Sequence, residues 1–164
     1  MINQNSQHLI STKKPQALSK NVANSCEFVL SSTGIASCPK HAKFNYDSTK
    51  HKYLTTDFDS QYGEANLAFE NLIFLFDETD YVVKENYKGS GHSETYCNYR
   101  LSGGKGTILS EGTALEITWG VEDGKLWMKT LDGKTAYLNA GKSYIGYGSS
   151  NHGGSLTLNS AEEN

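Results

Sequence analysis

Two Asp-Gly pairs constrain this chain more than any other feature. Asp123-Gly124 and Asp132-Gly133 lie nine residues apart and bracket residues 126–131. Asp-Gly supplies the positive φ values that type I′ hairpin turns demand, so a segment held between two such pairs predicts an antiparallel meander. Just upstream, residues 114–119 alternate: Leu115, Ile117 and Trp119 point one way, Glu116 and Thr118 the other. That is the period of a half-buried strand. The punctuation is too closely spaced for a solenoid or propeller repeat. Composition agrees, since sixteen Gly, ten Tyr and six Phe stand against two Pro, a balance suited to sheets joined by tight turns.

The remaining elements follow from the same logic. Residues 71–76 (NLIFLF) form the most apolar run, of strand length and without alternation, as expected of a strand buried on both faces. Further strands are expected at 27–30, 43–46, 52–54, 95–101 and 106–110, with Asp47-Ser48-Thr49 as a turn and 156–158 as an edge strand. A short helix fits around residues 64–69. The fold class expected is mainly β: a twisted antiparallel sheet curled into a half-barrel or sandwich, with one or two short helices at most. The Asn/Ser/Gln/Lys-rich residues 1–25 read as a flexible segment, 26–158 as a single β-rich domain and 159–164 as a polar tail. The expected core is Phe44, Leu54, Leu72, Phe74, Phe76, Leu115, Ile117, Trp119, Met128, Leu138 and Ile145.

Charge narrows the functional classes. Fifteen Lys+Arg against eighteen Asp+Glu give −3 and a pI near 5.9, which argues against a basic nucleic-acid arm. Arg100 is the sole arginine, so no cluster of guanidinium forks exists for phosphate or carboxylate. No apolar run approaches the roughly 18–20 residues of a membrane span, and residues 1–25 contain no apolar signal core. Gly141-Lys142-Ser143 and Gly133-Lys134-Thr135 imitate a phosphate loop, but the glycine required five residues earlier is Ala136 in one case and Met128 in the other. They read as turns, and no cofactor is expected.

Other side chains invite chemistry. Cys38, His41, His92 and Cys97 are the candidate metal ligands, with Cys38-Pro39-Lys40-His41 as one half-site and a looser His92/Cys97 pair as the other. Solvated turns account for the carboxylates Asp57/Asp59 and Asp77/Glu78/Asp80. Cys26 and Cys38 could close a short disulfide loop, or all three cysteines could stay reduced. His152 or His92, with a nearby Ser or carboxylate, would suit a small hydrolase. The tyrosines and tryptophans exceed what one small core hides with every polar group satisfied. Trp127 faces outward if Leu126 and Met128 face the core.

The order of motifs carries a family resemblance. Phe44-Asn45-Tyr46-Asp47, Lys52-Tyr53-Leu54 and the 71–76 run are followed by Gly103-Gly104-Lys105-Gly106 and Glu111-Gly112. Ile117-Thr118-Trp119, Asp132-Gly133-Lys134 and the closing Leu138-Asn139-Ala140-Gly141-Lys142-Ser143-Tyr144-Ile145 complete the series. Over about residues 28–148 this resembles the C-terminal domain of the YerB-type lipoproteins, a bacterial family of unknown biochemical function. Thr55 stands where that family often has arginine, and residues 86–99 look like an altered loop. The resemblance implies an extracytoplasmic, membrane-anchored setting, although this chain shows neither lipobox nor signal peptide. It brings across turn glycines, a buried strand and a Trp, without a nucleophile, base or metal triad. The function expected is a non-catalytic, envelope-associated binding or structural module, with a protein or cell-wall polymer as partner. Its expected binding residues are Tyr99, Lys105, Trp127, Lys142, Tyr144 and Tyr147.

Overall fold

The computed structural model describes residues 23–30, 41–58 and 67–159. Twelve strands follow in order: β1 (Ser25–Val29), β2 (His41–Asp47), β3 (Lys52–Phe58), β4 (Ala68–Phe69), β5 (Asn71–Asp77), β6 (Thr79–Lys84), β7 (Glu94–Tyr99), β8 (Gly104–Ser110), β9 (Thr113–Glu122), β10 (Lys125–Thr130), β11 (Ser143–Ser149) and β12 (Ser155–Asn159). They form two five-stranded sheets, β12-β1-β2-β3-β4 and β10-β9-β8-β5-β11, plus the separate β6-β7 ribbon. Helical structure among the described residues is one 3-10 turn at Tyr87–Gly89. The mainly β class read from the sequence is what the described residues adopt, and of the half-barrel and the sandwich it is the stacked-sheet form.

The two sheets meet face to face over a first core. Cys26, Phe28, Ala42, Phe44 and Tyr53 of one sheet bury against Leu72, Phe74, Leu109 and Ala114 of the other. Phe28 stacks on Phe74 at 4.8 Å between ring centroids, and Phe44 packs on Tyr144 at 5.1 Å. Each such side chain, fully buried, contributes about 1.5–3 kcal/mol. β5 is buried on both faces, as its unbroken apolar run demands: Leu72 and Phe74 enter the first core, Ile73 and Leu75 a second. That second core lies on the opposite face of the β10-β9-β8-β5-β11 sheet, where Ile108, Ile117, Trp119 and Met128 pack with Ala136 and Leu138 of the segment following β10.

Several expectations need correction. Asp123-Gly124 makes the β9–β10 hairpin, with both residues at positive φ (51° and 71°). Asp132-Gly133 does not start a third meander strand. After a single bridge, Lys129 to Thr135, the chain crosses to the far edge of the sheet, and β11 pairs with β5 in parallel. Two-residue hairpins force antiparallel neighbours; this longer connection permits the parallel one. The described end of the expected helix, Ala68–Phe69, is strand β4, paired with β3; the rest of that segment lies outside the described residues. Ile145, expected in the core, is 44% exposed, because Tyr144 takes the core side of β11. The flexible N-terminal reading yields at its last residues. Ala23 is fully buried and donates its N–H to the Gly112 carbonyl, and Ser25 opens β1. At the other end Asn159 belongs to β12 rather than to a tail.

The crossing from β10 to β11 is anchored on one buried amide. Asn71 is fully buried; its Nδ2 donates to the Asn139 carbonyl (2.9 Å) and to Ser143 Oγ (3.2 Å). Its Oδ1 accepts from Asn139 N–H (3.0 Å) and from the Ser110 hydroxyl (3.1 Å). All four hydrogen-bonding positions of the amide are used, the condition under which a polar group is tolerated in a core.

Candidate functional site

The register of β8, β9 and β10 decides which candidate side chains share a surface. Lys105 pairs with Thr118, Thr118 with Lys129, Thr107 with Glu116, and Gly120 with Trp127. Residues directly opposite on neighbouring strands project to the same side, so these seven lie on one face. It is the same side of the sheet that meets the first core at Leu109 and Ala114. Here, toward the β10 edge, Lys105, Glu116 and Lys129 are exposed, and Thr107, Thr118 and Trp127 are half-buried.

Trp127 is held by its neighbours. The Nε1–Cε2–Cζ2 edge of its indole lies across Gly120, where a Cβ would sit 2.4 Å from Cζ2. Only glycine leaves that space. Lys129 Nζ stands 5.0 Å from the ring centroid, a cation–π distance. With Met128 buried in the second core, Trp127 and Lys129 take the opposite side of β10.

The remaining expected binding residues lie elsewhere. Tyr144 packs among Phe44, Phe69 and Phe74, and burial pushes its phenol upward. Tyr147 stands edge-on to Trp119 at 5.8 Å beside the second core. The Tyr99 hydroxyl donates to the Tyr147 carbonyl at 2.8 Å, fastening the β6-β7 ribbon to β11, and its phenol is raised by burial. These rings are packing elements. Lys142 is exposed beside Glu70, whose carboxylate accepts the Lys142 backbone N–H at 2.6 Å. Of the six expected residues, only Lys105 and Trp127 share the open face. Thr107, Glu116, Thr118 and Lys129 join them there; the alternation of residues 114–119 already placed Glu116 and Thr118 on the side opposite Trp119.

The His152 region is ordered. His152 Nδ1 lies 2.9 Å from Thr79 Oγ1 and 3.2 Å from Ser149 Oγ, and Tyr81 packs on the imidazole at 4.1 Å. Gly154 N–H donates to the Ser149 carbonyl and Ser150 N–H to the Asp77 carbonyl, closing the loop. Thr79, Ser149 and His152 thus form one hydrogen-bonded cluster. Ser149 has no exposed surface, so no substrate carbonyl reaches its hydroxyl. The buried Asp77 carboxylate accepts from Leu101 N–H (2.5 Å), the Ser102 hydroxyl (2.8 Å) and Glu78 N–H (2.9 Å). His92 sits in the exposed β6-β7 turn.

Among the described residues no three His, Cys, Asp or Glu side chains gather as a metal site. His41 begins β2 and Cys97 lies in β7, while Cys38 falls outside the described residues and with it the Cys26–Cys38 pairing. Cys26 is a buried free thiol, and desolvation pushes it up to about 12. No helix among the described residues is long and apolar enough to cross a membrane.

Comparison with known proteins accounts for the scaffold. The family described as "Protein of unknown function (DUF3048) C-terminal domain" matches residues 35–145, about two thirds of the chain. The chain belongs to that family. The crystal structure of the YerB protein from Bacillus subtilis superposes with a TM-score of 0.56 at 17% identity, covering 85% of this chain and 46% of YerB. At that identity the match speaks for the fold, and the chain spans less than half of YerB. No curated protein matches the chain. The resemblance read from the motif order is thus shown, and what the family shares with this chain is a domain of unknown function.

Proposed function

We propose that this domain is a non-catalytic binding module that holds a partner protein or cell-wall polymer of the bacterial envelope on the face of β8, β9 and β10 that carries Trp127. One observation carries the reading: Trp127, half-buried and held across Gly120, lies on the same open face as Lys105, while Tyr99, Tyr144 and Tyr147 are spent on packing. A large aromatic set among polar side chains is a frequent anchor of a recognition site. The inaccessible hydroxyl of Ser149 weighs against hydrolysis as the alternative. The envelope setting rests on the family resemblance.

The test is retention on isolated envelope fractions, comparing the natural sequence with Trp127→Ala and Lys105→Glu. Both substitutions should lower retention at least fivefold, and Lys105→Glu should leave the urea midpoint unchanged. Equal retention by all three proteins would refute the assignment of this face.

A further inference from the structure

We infer that the ligand class of the Trp127 face is an uncharged, β-linked saccharide chain; this rests on the proposed reading of that face as a binding surface. The charge pattern is the first argument. Register places Lys105, Lys125 and Lys129 on this face together with Glu116 and Glu122. A surface of interleaved, nearly balanced signs gives no net field to hold a polyanion, the requirement for nucleic acid or an anionic polymer. The hydroxyls of Thr107 and Thr118, the carboxylate of Glu116 and the ammonium groups of Lys105 and Lys129 are instead a mixed set of donors and acceptors. Sugar hydroxyls, each both donor and acceptor, match such a set.

Shape is the second argument. Lys105, Thr118 and Lys129 form one row across three neighbouring strands. At about 4.8 Å per strand spacing the row is about 10 Å long, comparable with one disaccharide. The next pair along the strands, Gly120 and Trp127, sets the indole beside that row. A pyranose with equatorial substituents presents a face of C–H groups, which stacks on an aromatic ring while its rim hydroxyls reach outward. β-Linkage keeps successive rings extended, so one ring can stack on Trp127 while the adjoining sugars follow the row of Lys129, Thr118 and Lys105. Gly120 fixes the ring's position in the free protein, so little ordering remains to be done on binding. Lys129 moves off the indole as the sugar arrives.

The experiment titrates the full chain with chitohexaose and cellohexaose, with maltohexaose as the α-linked control and poly-γ-glutamate as the anionic control, followed by tryptophan fluorescence and calorimetry. Saturable binding of one or both β-linked hexamers is expected. It should weaken at least tenfold in Trp127→Ala and threefold or more in Thr118→Val and Glu116→Gln, two variants expected to keep the urea midpoint. Binding of the β-linked hexamers that all three variants retain would overturn the inference by placing the sugar elsewhere. Trp127-dependent binding of poly-γ-glutamate, or of envelope proteins, without the hexamers would overturn the saccharide class and leave the binding face standing. Failure of the hexamers together with Trp127-independent retention on envelope fractions would remove both.

Discussion

Replacing Asn71 with alanine tests whether the segment crossing from β10 to β11 is tied down as the structure implies. The amide makes four hydrogen bonds from a fully buried position. Two of its partners can be re-satisfied: Ser143 is exposed to water, and the Ser110 hydroxyl already lies 3.3 Å from the Glu70 carbonyl. The N–H and C=O of Asn139 have no such substitute of similar geometry. An orphaned, partly buried backbone group costs about 1–3 kcal/mol, and Asn139, only partly buried, belongs at the lower end. Two such groups amount to a loss of about 2–3 kcal/mol, a large share of the 5–15 kcal/mol typical of a domain. Urea unfolding is the assay: the midpoint should fall while the slope stays constant. A loss under about 1 kcal/mol would show that the segment holds by its apolar contacts alone, and that the Asn71 hub is incidental.

Other outcomes can be stated more briefly. Gly120→Ala places a methyl group 2.4 Å from Trp127 Cζ2, so it should destabilise by about 1–2 kcal/mol and shift the tryptophan emission; a gain in stability, the ordinary result of Gly→Ala in a strand, would refute the close approach. Cys26, buried with its thiol raised to about 12, should resist alkylation in the native protein and react on unfolding, as peptide mass mapping would read; rapid native labelling would contradict its place in the first core. Asp132 is held down to about 2, first by its hydrogen bond with Lys134 and then by that with Thr130. A carboxyl lowered on folding contributes stability above its unfolded pKa near 3.9 and loses it as pH falls toward about 2. Natural protein and Asp132→Asn should therefore differ slightly in melting temperature at pH 6 and converge by pH 2; a difference that grows on acidification would reverse the sign.

The sequence was most legible where one rule acted alone. The unbroken apolar run of β5 needed two covered faces and received them, and alternation in β9 put Ile117 and Trp119 on one side. Asp123-Gly124 was legible as a hairpin because an alternating strand precedes it and a strand-length segment follows it. Asp132-Gly133 carries the same local signal, but local signals do not say what the chain does next, and the parallel placement of β11 is a long-range outcome. Within β11 a one-residue choice of phase decided the fates of Tyr144 and Ile145. Gly146 and Gly148 were the readable clue: they share the side of Tyr144, where the rings of Phe28, Phe74 and Phe76 fill the space a Cβ would need. For the site, counting aromatics could not separate an anchor from a core ring. Six candidates therefore reduced to two, and the cross-strand partners Thr107, Glu116 and Lys129 waited on register.

Strand order also bears on how such a chain matures. β1 finds one of its neighbours in β12, 134 residues away between Ser25 and Asn159, and β5 finds one in β11, 72 residues away between Asn71 and Ser143. Both sheets thus remain one strand short until residues 143–159 have left the ribosome. Until then a nascent chain carries two open flanks, and a stop before residue 143 would strip both halves of the sandwich at once.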